Sequence, residues 1–221
     1  IGCGICKQNC RFDAISEKYG VYEIDPFGCE GCSVCEALCP VKAVEMVPAL
    51  AGELMLYKKA EAVFSTAQLK MGSGTSGMLV TRVKTQMKDA ANPRTELAII
   101  DGSPGIGCPV IASLSGVDMV LIVAEPSLSG ISDMERIVKT ARQFGVKMAI
   151  CVNKYDTNLN NTRKIEDYCG KESIVFAGTV PFDENAGKAI NRGLSVVDIP
   201  CPAQQAVEKL FSTTMELLKD K

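Results

Sequence analysis

Cys29-Glu-Gly-Cys32-Ser-Val-Cys35-Glu-Ala-Leu-Cys39-Pro40 sets four cysteines and a proline at the spacing C-x2-C-x2-C-x3-C-P. Cys32, Cys35 and Cys39 have counterparts upstream at a constant offset, Cys3, Cys6 and Cys10, and the same offset carries Cys29 to a position one residue before Ile1. The two runs also match outside the sulfurs. Cys10-Arg-Phe-Asp-Ala-Ile15 lies over Cys39-Pro-Val-Lys-Ala-Val44, so the segment reads as a duplicated unit. The missing partner and an N-terminal Ile in place of Met lead us to expect a piece of a longer polypeptide.

Closely set thiolates on tight loops suit soft metal centres. This spacing is that of a bacterial-type iron–sulfur ferredoxin, in which the fourth cysteine ligates the other cluster of a two-cluster domain. Crossed ligation is therefore expected: Cys29, Cys32 and Cys35 with Cys10 at one [4Fe-4S] cluster, and Cys3, Cys6 and Cys39 at a second that is one ligand short in this chain. A structural zinc site would use paired C-x2-C units and would leave the third cysteine and Pro40 without a role. Val21-Tyr22-Glu23-Ile24-Asp25 alternates as a short strand between the runs. Gly2, Gly4, Gly28 and Gly31 let backbone amides approach the sulfurs or simply form turns.

Composition bounds the rest. With 221 residues, 47% hydrophobic content and a formal charge of -2, the chain has no electrostatic footprint for nucleic acid or anionic lipid. Its longest apolar runs, such as Met119-Val-Leu-Ile-Val-Ala124, are strand-sized, so a cytoplasmic location without a membrane partner is expected. The absence of histidine removes imidazole acid–base catalysis and Rieske-type ligation.

Beyond about residue 48 apolar runs alternate with amphipathic stretches, the pattern of a parallel sheet covered by helices. The expected domains are 1–48, ferredoxin-like, and 49–221, a doubly wound α/β domain. Strands are predicted at Ala62–Gln68, Leu97–Asp101, Met119–Glu125, Met148–Asn153 and Ile174–Val180. Helices are predicted at Gly77–Ala90, Pro109–Ser115, Ser129–Phe144, Leu159–Cys169, Glu184–Asn191 and Ala203–Leu218. Ligands of such folds sit at the carboxyl ends of the strands. Glu96-Leu-Ala-Ile-Ile-Asp101 ends an apolar run in an acid that could hold Mg2+ or cap a turn, and Asn153 and Asp156 could face a base or cap the next helix. Cys151 and Cys169 read as buried packing, whereas Cys108 and Cys201 could pack or join a metal site between protomers.

Taken together, Asp101-Gly-Ser-Pro-Gly-Ile-Gly-Cys-Pro-Val-Ile-Ala112, Val152-Asn-Lys-Tyr-Asp156 and Val180-Pro-Phe-Asp183 resemble the MinD/ParA/Mrp-type P-loop ATPases, here with an inserted two-cluster ferredoxin domain. The resemblance spans essentially the whole chain. It implies that Asp101 is the magnesium-side acid, that Pro104, Gly105 and Gly107 belong to the second switch, that Asn153 reads adenine and that Pro181 lines the base pocket. Asp156 leaves guanine open. Gly72-Ser-Gly-Thr-Ser-Gly-Met-Leu79 resembles the first switch, with Met78 where relatives commonly have lysine, or is a flexible Gly/Ser loop. No Gly-Lys-Ser/Thr phosphate loop occurs, so weak or no nucleotide binding is expected of this chain and ATPase activity only of the full-length protein.

The function so implied is ATP binding and hydrolysis coupled to electron transfer or Fe–S cluster delivery, with ATP, Mg2+ and two [4Fe-4S] clusters as cofactors. The partners would be a redox protein or an apo-protein acceptor, and a homodimer is implied. The alternatives are a plain electron carrier and an iron–sulfur scaffold, both without nucleotide turnover.

Overall fold

Tyr19 and Gly20, both at positive φ (54° and 80°), turn the chain between β1 (Ile15–Lys18) and β2 (Val21–Ile24). Two residues in the left-handed region are what a two-residue hairpin of matching twist requires. Ile15 pairs with Ile24 and Lys18 with Val21. This computed structural model describes residues 1–73 and 76–220, and the chain divides into two compact units, Ile1–Asp101 and Gly102–Lys221.

The duplication in the sequence is a duplication in space. Short helices α1 (Ile5–Gln8) and α2 (Val34–Ala37) occupy equivalent places in the repeat. They are preceded by Gly4 and Ser33, both in left-handed conformation. Gly2 and Gly31 (φ 61° and 64°) and Asp13 and Lys42 (φ 51° and 52°) are likewise matched. Gly4, at φ 75°, is favoured over a side-chain-bearing residue, because a Cβ there would lie 2.7 Å from the Tyr22 hydroxyl and push it aside.

A second hairpin follows, β3 (Gly52–Lys59) with β4 (Ala62–Leu69), carrying a stacked Tyr57–Phe64 pair at 6.0 Å. Strand β4 was expected in the parallel sheet. It is antiparallel to β3 instead, since a link of only Ala60 and Glu61 permits a hairpin and no crossover. Helix α3 (Ser76–Ala90) packs on this hairpin: Gln86 Nε2 donates to the Met55 carbonyl at 3.0 Å and to Ser65 Oγ at 3.0 Å. The expected strand Leu97–Asp101 does not form and belongs to none of the three sheets. An apolar run becomes a strand only beside a partner that takes up its backbone hydrogen bonds, and Ile99 is 79% exposed here.

The second unit is the α/β part. After α4 (Cys108–Leu114) come β5 (Met119–Ala124), α5 (Leu128–Gln143), β6 (Lys147–Asn153), α6 (Leu159–Glu172), β7 (Val175–Val180), α7 (Glu184–Ile190) and α8 (Pro202–Lys219). The sheet is parallel with order β5-β6-β7. Ile150 and Val152 face Met134 and Val138 of α5 and Ile165 of α6, while Ala149, Cys151 and Ala177 face Leu210 and Leu217 of α8. Helices therefore cover both faces, which is why Met148–Val152 of β6 is continuously apolar rather than alternating. Among the described residues the strand order advances without reversal, so this three-stranded sheet leaves the expected double winding unconfirmed. Among the described residues no helix is long and apolar enough to cross a membrane.

Candidate functional site

The loop from Asp25 to Ser33 carries the sulfurs into place by backbone bonds. Asp25 N–H donates to the Ala14 carbonyl at 2.8 Å, Cys29 N–H donates to the Asp25 carbonyl at 3.0 Å, and Phe27 N–H donates to Asp25 Oδ1 at 3.0 Å. Ala14 and Ile15, both buried, anchor the loop from beneath. The result is one cavity lined by Cys10, Cys29, Cys32 and Cys35 together with Phe12, Ile15, Ile24, Val34 and Met46. Cys10 is distant in sequence from the other three and reaches the cavity because the duplication folds one half against the other.

These thiols differ from Cys39 in their surroundings. Burial pushes the Cys35 thiol up, and the nearby Cys29 and Cys32 add to that. Cys39 is held below its ordinary value, first by the Ala43 amide, which donates to its Sγ at 3.1 Å, and then by the Val41 amide. Lys42 at φ 52° turns these successive N–H groups toward the sulfur, an anion-binding arrangement of the backbone. Cys3 is exposed, and Cys6 and Cys39 are half-buried. Helices α1 and α2, beside which they lie, pack on each other. Among the described residues no group of three Cys, Asp or Glu side chains has the spacing for a single metal ion.

In the second unit the carboxyl edge of the sheet brings together three residues singled out from sequence. Asn153 pairs with Val180, so Pro181 follows directly across from it, and Asp156 Oδ1 accepts from the Phe182 amide at 2.8 Å. Neither Asn153 nor Asp156 caps the following helix; Asn158 does, accepting from Asn161 N–H at 3.0 Å. Pro104, Gly105 and Gly107 lie in the exposed loop that leads into α4, with Gly105 at φ 88°. Asp101 closes the first unit, exposed and outside any strand. The segment read as a first switch includes residues 74 and 75, which fall outside the described residues.

Lys154 and the capping role of Asp183 gave no sequence signal strong enough to single them out. Lys154, in left-handed conformation, bonds Glu125 at 2.6 Å, tying the ends of β6 and β5. Asp183 caps α7 through Asn185 N–H at 2.9 Å and also accepts from Ala203 N–H at 3.3 Å. These amides, the Asn185 one first, and the Cys201 thiol hold its carboxyl below the usual range. Cys201 is buried and caps α8, its Sγ accepting from Gln204 N–H at 3.4 Å, while Cys108 is exposed. Cys151 and Cys169 are buried as expected, and burial pushes both thiols up to about 11.

No protein-family model matches the chain. It is 30% identical over 220 residues, 99% of this chain and 72% of the other, to a protein of Methanocaldococcus jannaschii named "Uncharacterized protein MJ0578". It is 26% identical over 137 residues, 56% of this chain and 47% of the other, to the iron-sulfur cluster carrier protein of Methanococcus maripaludis. An N-terminal stretch of 46 residues, 20% of this chain and 59% of the other, is 46% identical to a ferredoxin of Alicyclobacillus acidocaldarius. Among solved structures, the MinD cell division protein of Aquifex aeolicus matches with a TM-score of 0.52 at 20% identity, covering 63% of this chain and 61% of that one. That likeness is one of fold.

Proposed function

The chain belongs to the family of the M. jannaschii protein MJ0578 and has a MinD-like ATPase fold beside a ferredoxin-like segment, and from that premise we propose that it binds iron–sulfur clusters and couples nucleotide binding to electron transfer or cluster delivery. The observation that carries this reading is the convergence of Cys10 with Cys29, Cys32 and Cys35 on one cavity. Four soft donors around an apolar hollow fit a [4Fe-4S] cluster, which when bound supplies one-electron chemistry at low potential. Cys3, Cys6 and Cys39 are the proposed protein ligands of a second cluster.

The residues around the sulfurs have their own work. Phe12, Ile15, Ile24, Val34 and Met46 give the first cavity an apolar lining, and the Ala43 amide stabilises negative charge on Cys39. For the nucleotide half, Asn153, Asp156 and Pro181 are the proposed base-side residues, with Asp101 on the magnesium side and Pro104, Gly105 and Gly107 in a loop that responds to the terminal phosphate. Asp156 spends one carboxylate oxygen on Phe182 N–H, which favours a role in holding the Pro181 loop over reading a base. Proposed partners are a second copy of the chain and a redox protein or an apo-protein acceptor.

Four converging thiols in one apolar-lined cavity favour retention of a cluster and hence electron transfer, whereas the similarity to an iron-sulfur carrier favours delivery. Anaerobic iron and sulfide quantitation with electron paramagnetic resonance (EPR) on the full natural protein, with and without ATP, tests the proposal. The expected result is two [4Fe-4S] clusters that cycle without loss and whose reoxidation rate changes with ATP. Bound zinc in place of iron would sink the cluster assignment, and rates indifferent to ATP would sink the coupling. Ready transfer of iron to an apo-ferredoxin would turn the reading to delivery.

A further inference from the structure

The two halves of the cysteine repeat share a backbone and differ in charge. Lys7 occupies the place of Glu36, each directly following a cysteine in α1 or α2, and Asp13 occupies the place of Lys42, each three residues beyond a cysteine. Both reversals are set at equivalent places, Lys7 and Glu36 within α1 and α2 and Asp13 and Lys42 at φ 51° and 52°. Crossed ligation then sorts the charges. Glu36 and Asp13 both flank the site of Cys10, Cys29, Cys32 and Cys35, while Lys7 and Lys42 both flank the site of Cys3, Cys6 and Cys39.

Other groups strengthen the contrast. Glu30 lines the first cavity, and Asp25 reaches the Cys29 loop, its Oδ2 3.2 Å from where a Cβ on Gly28 would be. Arg11, exposed beside Cys10, opposes these acids. At the second site the Ala43 amide donates to Cys39 Sγ. Reduction adds one negative charge to a cluster, so acids and an apolar wall disfavour it, while lysines and hydrogen bonds to sulfur favour it.

We propose that the two sites have unequal reduction potentials, the acid-flanked site at Cys10, Cys29, Cys32 and Cys35 being the lower and the lysine-flanked site at Cys3, Cys6 and Cys39 the higher. One electron accepted from an external low-potential one-electron donor protein at the first site passes to the second. The first cluster is thereby reoxidised and the second reduced, and the electron leaves from the second to an acceptor. The inference rests on the proposed cluster pair and adds a direction to it.

The test is an EPR-monitored redox titration of the full natural protein, preceded by iron and sulfide counts. Two clusters by count are the premise; one or none would overturn the pair itself, and that result is read before any potential is measured. With two present, we expect two one-electron steps whose affinities for the electron differ at least tenfold, about 59 mV for a one-electron couple. Asp13→Asn should raise only the lower step and Lys42→Gln should lower only the upper. Asparagine tolerates the left-handed conformation at position 13, and both side chains are exposed, so folding is little affected. High salt should narrow the gap by screening. A single shared midpoint would overturn the proposal, as would both variants moving the same step or shifts of the opposite sign; a merely structural role would not move two steps in opposite directions.

Discussion

The two units of this chain are held together by different means. In the first, only Ala14 and Ile15 are buried apolar residues among those described, and the order comes from hairpins, left-handed turns and backbone hydrogen bonds around seven cysteines. In the second, Ile150, Val152, Val138 and Ile165 are fully enclosed between a parallel sheet and its helices. A segment with so little apolar burial is marginal unless a metal centre staples it. The contrast teaches that the first unit should depend on its cofactor and the second should not.

Stripping the metal should break the comparison most sharply. Hydrogen–deuterium exchange of the iron-free protein, or of Cys29→Ser, is expected to show loss of protection over residues 1–48 while β5, β6 and β7 remain protected. Equal protection of both regions in the iron-free state would show that the first segment stands on its own packing.

A core truncation tests the other side. Ile150→Ala removes a fully buried side chain between α5 and α6 and should cost about 2–5 kcal/mol in urea unfolding of the second unit. Iron content should be unchanged. In the same unfolding experiment at pH 8, iodoacetamide should label Cys108 in the native state, and Cys151 and Cys169 only after unfolding, since burial pushes their thiols up to about 11.

A smaller effect is expected at Asp183. Its carboxyl is depressed by the Asn185 and Ala203 amides and the Cys201 thiol, so its stabilising contribution is present above the unfolded carboxylate range and is lost as pH falls through the lower folded value. Asp183→Asn should therefore lower the thermal midpoint at pH 7 and flatten the acid limb of the stability profile below about pH 4. An unchanged acid limb would show that the carboxylate does not join the starts of α7 and α8. The smallest change belongs to the surface of the first unit, where Tyr57→Ala, removing the exposed stack on Phe64, should cost roughly 0.2–1 kcal/mol.

Much of this was legible in the residues themselves. The cysteine spacing named all four thiols that line the first cavity, because ligation by spacing is local except for Cys10, and the internal repeat supplied that partner. The helices α3 to α8 and strands β5 to β7 fell within a few residues of their predicted ranges, since a buried parallel strand and an amphipathic helix each write their period into the chain. Strand β3 went unread. Leu97–Asp101 was read as a strand that does not form, and with it the setting expected for Asp101.

The sequence by itself determined the chemistry: soft donors at ferredoxin spacing, no histidine, and acids and lysines exchanged between the halves of the repeat. Tertiary structure alone decided the pairings that join distant segments. It placed β4 beside β3 rather than in the parallel sheet, left Ile99 exposed, committed Asp156 to Phe182 and gathered α7, α8 and Cys201 around Asp183. Residue type and period act over one turn or one strand, whereas a backbone ladder or a shared carboxylate needs a partner that only the folded chain brings within reach.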